Sequence, residues 1–286
     1  MVYTKSGVST GTVYNRIGQR LAQAYDIDEN ELLNNTIRVM TYNIGQWYVG
    51  NGSNVPSADY TTFYNLQRLI LSTYAPDVVG FQEYYEPFSS EHSVDSVIGD
   101  FFTNHANSGT SGYPAKATYT NGFPISNYTK TDFAASSSEC YTKGKISVGG
   151  KEIWILNAHL ATSSNEANKV AESTELLNVV SELEYFVILA DFNTVCKSIN
   201  DTEYTTIMKQ FIDAGYNSAN CSQQHGFIDT WTGGDTASGT WYPCDQIITS
   251  ANIDIETVIA DTIKISVLSG QFVIDHIPLI AELSIN

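Results

Sequence analysis

Six apolar runs in this 286-residue chain carry a polar group at one end: TYN at Asn43, FQE at Glu83, NAHL at His159, ADFN at Asp191 and Asn193, CD at Asp245, and IDH at Asp275 and His276. One such residue usually caps a turn, but six in succession along a chain mark a site. The residue types fit one kind of chemistry. Carboxylate oxygens suit a hard divalent cation such as Mg²⁺, with Mn²⁺ or Ca²⁺ as substitutes, and imidazoles held by carboxylates move protons near neutral pH. Hydrolysing a phosphodiester requires an activated water, neutralisation of the non-bridging oxygens and relief of charge on the leaving oxygen. Two His, three Asp, one Glu and two Asn in these motifs supply groups for all three needs.

The elements that must hold these groups are written in the apolar period. IRVMTYNI reads as a strand, Thr61 to Ser72 has helical spacing through Phe63, Leu66, Leu69 and Ile70, and DVVGFQE reads as a second strand. Further strands are expected at KGKISVGG, EIWILNAHL, FVILADFN, CDQIITS, Thr257 to Ile265 and the terminal PLIAELSI, with a helix over Glu166 to Glu184. FVILA is apolar without a break, as a strand buried on both faces requires. Ser89 to Tyr119, rich in Ser, Gly, Asn and Phe, reads as loops rimming a cleft. Many strands and few long helices predict an α+β fold: a four-layer α/β/β/α sandwich of two packed mixed sheets flanked by helices, with side chains for chemistry at strand ends.

Hydrophobic residues make up 42% of the chain, enough for a sizeable core and against global disorder. Length and texture predict one large domain over residues 36–286 after a polar extension over residues 1–35. In that extension Tyr3, Tyr14 and Tyr25 recur every 11 residues, a degenerate repeat that resembles tyrosine segments preceding enzyme domains in phage tail and bacterial surface proteins. The plainer reading is an N-terminal extension with one helix over Asn15 to Tyr25. An attachment segment would favour a secreted, cell-surface or virion-associated setting.

Fourteen Lys and Arg against 31 Asp and Glu give a net charge of −17, which repels polyanions at long range unless a bound cation reverses the local field. That counts against indiscriminate nucleic-acid binding without excluding a nuclease. Cys140, Cys196, Cys221 and Cys244 have no zinc-like spacing. Two disulfides and four free thiols both stay open, with Cys196 and Cys221 as a candidate bridge. No apolar run approaches the roughly 20 residues of a membrane span, so stable membrane insertion is not expected.

The motifs from Ile37 to Ile285 resemble the endonuclease/exonuclease/phosphatase superfamily, which includes DNase I, abasic-site endonucleases, inositol-phosphate phosphatases and sphingomyelinases. The resemblance implies that Glu83 holds the metal, with Asn43 helping to hold the ion or its water. It implies two imidazole–carboxylate pairs, His276 with Asp275 and His159 with Asp245. It also implies that Asp191 aligns the attacking water while Asn193 contacts phosphate. Three positions depart from the family pattern. A phosphate-contacting Arg before NAHL is replaced by Lys143 or Lys145, Gln246 stands where relatives carry an aromatic, and NGFPIS makes Asn121 only an approximate phosphate-binding match. Lysine offers a point charge where arginine offers a fork. Tyr84, Tyr85, Trp231, Trp241 and Tyr242 lie beside the motifs and are candidates for base stacking, although such residues more often pack the core or rim.

The reading that follows is a metal-dependent phosphodiesterase or endonuclease acting on DNA as DNase I does. The alternative keeps the chemistry and changes the substrate to a phospholipid headgroup or a small phosphoester. A binding module with a vestigial catalytic domain is the third reading, and retention of every metal and acid–base position argues against it.

Overall fold

Alternation at period two along each strand separates a face that meets the opposite sheet from a face that meets a helix. The computed structural model describes residues 35–44, 60–84, 98–108, 115–136, 139–162, 166–231, 242–260, 266–267, 271–272 and 276–286. In chain order the principal elements are β1 (Thr36–Asn43), α1 (Tyr60–Tyr74), β2 (Val78–Gln82), β3 (Asn104–Asn107), β4 (Ala117–Thr120), β5 (Ser126–Asp132), β6 (Cys140–Val148) and β7 (Lys151–His159). They continue with α2 (Glu166–Ser181), β8 (Phe186–Asp191), α3 (Lys209–Asp213), β9 (Asn217–Ser218), β10 (Asp245–Thr249), β11 (Ile253–Ala260), the short strands β12 (Ser266–Val267) and β13 (Gln271–Phe272), and β14 (Leu279–Ile285).

Two six-stranded sheets result, ordered β11-β14-β1-β2-β4-β3 and β5-β6-β7-β8-β10-β9. Each contains one parallel pair, β1 with β2 and β7 with β8, while the other pairings are antiparallel. A parallel pair needs a crossover, which α1 and α2 provide.

Three apolar layers hold the sandwich. Met40, Tyr42, Val79 and Phe81 pack with Ile70 and Leu71 of α1 on the outer face of the first sheet. Leu156, Ala158, Phe186 and Ile188 pack with Leu176 and Val180 of α2 on the outer face of the second. Between the sheets lie Ile37, Val39, Val78, Ile153, Ile155, Val187, Leu189, Ile247 and Leu283. This is the four-layer arrangement that the sequence predicts. Full burial of each such side chain stabilises the fold by about 1.5–3 kcal/mol.

The sheets approach closely at Gly80, where an added Cβ would lie 2.9 Å from Leu189 Cβ. Beside it a buried amide network joins them. Gln82 Nε2 donates to Asn157 Oδ1 at 2.8 Å, and Asn157 Nδ2 donates to the carbonyls of Phe81 and Ala117 at 3.0 and 2.9 Å. Amides buried between apolar layers are tolerated because these bonds satisfy them.

Several expectations are corrected. The 89–119 stretch, read as loops, contributes β3 and the start of β4 to the first sheet. On α1 Ile70 is buried as expected, with Gln67 and Leu71 beside it, while Leu69 is exposed. All four cysteines are free thiols, and Cys196 Sγ lies 3.4 Å from Cys221 Sγ. Among the described residues no helix is long and apolar enough to cross a membrane. Residues 1–34, with the tyrosine repeat and the expected helix over Asn15 to Tyr25, lie outside the described residues.

Candidate active site

The inner face of each central strand is apolar at one end and polar at the other. Along β1 it reads Ile37, Val39, Thr41, Asn43; along β7, Ile153, Ile155, Asn157, His159; along β8, Val187, Leu189, Asp191. Strand register then sets the polar ends in a row. His159 faces Asp191 across the parallel pair, and Asp191 faces Asp245 across the antiparallel one. On the other sheet Asn43 faces Gln82, and Glu83 follows with a left-handed φ of 52°. For a non-glycine residue that conformation costs on the order of 1–3 kcal/mol and persists where its surroundings impose it.

Asp191 is the centre of the cluster. Its Oδ2 accepts from Asn43 Nδ2 at 3.0 Å and lies 3.5 Å from His159 Nε2 and 3.6 Å from His276 Nε2. Its Oδ1 accepts from the backbone N–H of Asn193 at 2.8 Å. Asn43 Nδ2 also reaches Glu83 Oε1 at 3.2 Å, so one amide links the carboxylates contributed by the two sheets. Asn193 has a φ of 50° and donates from Nδ2 to the Leu160 carbonyl at 2.8 Å, tying the loop after β8 to the loop after β7.

The imidazole partners differ from the implied pairing. His276 Nδ1 lies 2.9 Å from Asp245 Oδ2, so Asp245 belongs to His276 and not to His159. His159 instead lies between Asp191 and Glu139, whose Oε2 is 4.0 Å from His159 Nδ1. The cause is register: Asp191 separates Asp245 from His159 in the row of strand ends. Burial lowers His159 to about 4, with Lys116 and His276 pushing the same way and Asp191 opposing. Asp275 lies outside the described residues.

Two charged residues at the site escaped the sequence reading. Lys116 precedes β4 and is fully buried, with Nζ 3.6 Å from Glu139 Oε2. Burial raises Glu139 to about 8, with Lys116 opposing and Glu172 and Asp191 adding to the rise. The only sequence signal was charge at the start of a buried strand, in AKATYT and ECYT.

The expected phosphate contacts are elsewhere. Lys143 faces away from the inter-sheet layer and stacks over Trp154 at 4.7 Å. Lys145 lies over the same ring at 4.8 Å and pairs with Glu152. Asn121 is exposed, and its N–H donates to the Asp77 carbonyl, at the opposite end of β2 from Glu83. Tyr84 is a core residue whose hydroxyl meets that of Tyr119 at 3.0 Å. Trp231 bridges to Tyr242 and His276, with its ring 6.2 Å from the imidazole. Tyr85 and Trp241 lie outside the described residues. Gln246 faces away from the site row and donates to Pro243 O at 2.9 Å.

The site suits a hard cation. Ligand atoms of Asp191, Asp245 and His276 lie within 4.8 Å of one another and all three residues are buried, so the group could hold a metal ion. Asp245 Oδ1 is buried with no hydrogen-bond partner among the described residues. An unsatisfied buried carboxylate oxygen beside a second carboxylate is expensive without a cation.

No family model matches this chain, and no curated protein matches it. Solved structures do. D. rerio TDP2 complexed with a single-strand DNA product aligns with a TM-score of 0.67 at 13% identity, over 87% of this chain and 99% of that one. The human Nocturnin catalytic domain with bound sulfate aligns with 0.64 at 15% identity, over 88% and 94%. An endonuclease/exonuclease/phosphatase family protein from Bacteroides thetaiotaomicron aligns with 0.60 at 15% identity, over 88% and 95%. The chain therefore has the endonuclease/exonuclease/phosphatase fold, of the DNase I-like kind expected from its motifs.

Proposed function

We propose that the protein is a divalent-metal-dependent phosphodiesterase that cleaves DNA. The observation that carries this reading is the placement of Asp191 Oδ2 between the Nε2 atoms of two histidines, at 3.5 and 3.6 Å, while Asn43 joins it to Glu83. A DNA-bound neighbour of the same fold supports the choice of substrate.

Asp191 and the open Oδ1 of Asp245, with Glu83 and Asn43 from the facing sheet, would hold the cation. When bound, it supplies charge neutralisation for the phosphate oxygens. Asp191 orients the attacking water. His159, kept neutral by burial at neutral pH, accepts a proton from it. His276 donates to the leaving oxygen, and Asp245 fixes its ring and stabilises the charge that develops there. Asn193 and buried Lys116 add polar and positive character on the His159 side.

The test is nicking of supercoiled plasmid in Mg²⁺, with EDTA and His159→Ala as controls. Metal-dependent nicking that the substitution abolishes supports the reading. The net charge of −17 supports a second one, a small or phospholipid phosphoester substrate. Absence of nicking with any divalent ion, together with turnover of a small phosphodiester, would select it.

A further inference from the structure

Helix α2 buries one face, and that face is not uniformly apolar. Its buried residues are Lys169, Glu172, Ser173, Leu176 and Val180, a stripe at helical spacing. Leu176 and Val180 pack on the second sheet, as an amphipathic helix should. One and two turns earlier the same stripe carries Glu172 and Lys169, both with no exposed surface. Charges in such positions are strongly unfavourable unless each meets a partner.

The partners are the two loops that carry the site. Glu172 Oε2 accepts from the backbone N–H of Ala161 at 2.6 Å, two residues after His159. Lys169 Nζ donates to the carbonyl of Asn193 at 2.7 Å and to Glu203 Oε1 at 2.7 Å. Glu203 Oε2 in turn accepts from the N–H of Val195 at 2.5 Å. The loop after β8 is thus gripped on both sides of Thr194. Its left-handed Asn193 is fixed at three points: its N–H on Asp191, its side chain on Leu160, its carbonyl on Lys169. A strained residue held this completely points to positioning.

We propose that Lys169, Glu172 and Glu203 are positioning residues: one turn of α2 sets His159 and the Asp191–Asn193 loop relative to each other for the hydrolytic step. The inference rests on the phosphodiesterase reading above. These side chains touch neither substrate nor reacting atoms. They act through backbone groups next to those that do, and a displacement of about 1 Å at such groups can cost on the order of 100-fold in rate.

The test compares Lys169→Met/Glu203→Gln, Glu172→Leu and Glu172→Gln with wild type, measuring kcat and KM on a phosphodiester together with the melting temperature. The double variant removes both buried charges, so neither is left unpaired and the fold is retained. Its kcat is expected to fall ten- to a hundredfold, with KM changed less than about threefold, because the loss falls on alignment and not on binding. Glu172→Leu is expected to behave likewise. Glu172→Gln keeps an oxygen for the Ala161 N–H and should recover most of the rate. Wild-type kcat in the folded double variant overturns the proposal while leaving the phosphodiesterase reading intact, as does a Gln variant no better than Leu. A wild-type protein inactive on every phosphoester overturns the function reading first and the positioning role with it.

Discussion

Asp245→Asn separates what the site does from what holds the fold. Asp245 is fully buried, faces Asp191 across the antiparallel pair, and has one oxygen on His276 and the other without a hydrogen bond among the described residues. The ligand atoms of the two carboxylates lie within 4.8 Å. At an effective dielectric of about 20, two unit charges at that separation repel by roughly 3.5 kcal/mol. Part of this returns as lost attraction to His276, so a net stabilisation of about 1–2 kcal/mol is expected in EDTA. That corresponds to a rise of about 2–8 °C in Tm for a domain of this size class. Activity moves the opposite way. An amide can orient the imidazole in the wrong tautomer and cannot stabilise its charge, and the comparable change in a serine protease costs about 10⁴-fold, so kcat here should fall between about 10² and 10⁴. Added Mg²⁺ should raise the wild-type Tm more than the variant's, since a cation that binds the folded state stabilises it by mass action. Calorimetry with and without EDTA, beside plasmid nicking, reads both effects. A variant that is less stable in EDTA and retains its activity refutes the reasoning.

Glu139→Gln tests the second buried carboxylate. Glu139 is raised to about 8 in the folded state, so the folded protein binds more protons than the unfolded chain and wild-type stability falls as pH rises toward 8. His159, lowered to about 4, gives the opposite trend below pH 6.5, so the variant is compared with wild type over pH 6.5–8. There the variant should flatten a slope of up to about 1.4 kcal/mol per pH unit, measured by urea denaturation; an unchanged slope contradicts the assignment. Gly80→Ala places a Cβ 2.9 Å from that of Leu189 and should destabilise by about 1–3 kcal/mol, checked by the denaturation midpoint. Lys143→Ala should leave kcat and KM within about twofold, because its charge is on Trp154 and away from the site; a tenfold rise in KM would restore it as a phosphate contact.

The sequence made the strand ends legible because each inner face changes from aliphatic to polar in the last one or two residues, as in Ile155, Asn157, His159. It could not show which imidazole meets which carboxylate. The resemblance paired Asp245 with His159, but partners across a sheet are fixed by register, and register sets Asp191 between them while His276 Nδ1 meets Asp245. Lys116 and Glu139 were hidden for a related reason: each lies just before its strand, without an apolar run ahead of it to mark a strand end. Lys169 and Glu172 carry no mark of burial in the sequence, since charge on a helix ordinarily means exposure. Only the approach of the two loops turns that turn of helix inward. The edge strands β3 and β5 were illegible because their residues are mostly exposed or half-buried and polar, with no buried face to impose alternation.

Asp191 touches Asn43 and Asn193 and lies beside both histidines, so the hydrolysis of a chromogenic phosphodiester by wild type and Asp191→Asn, across a titration of Mg²⁺ or Mn²⁺, tests the central claim most directly. The account predicts turnover that rises with the metal, vanishes in EDTA and falls by at least about 10³-fold in a variant that remains folded. Full activity in EDTA, or in Asp191→Asn, would contradict it.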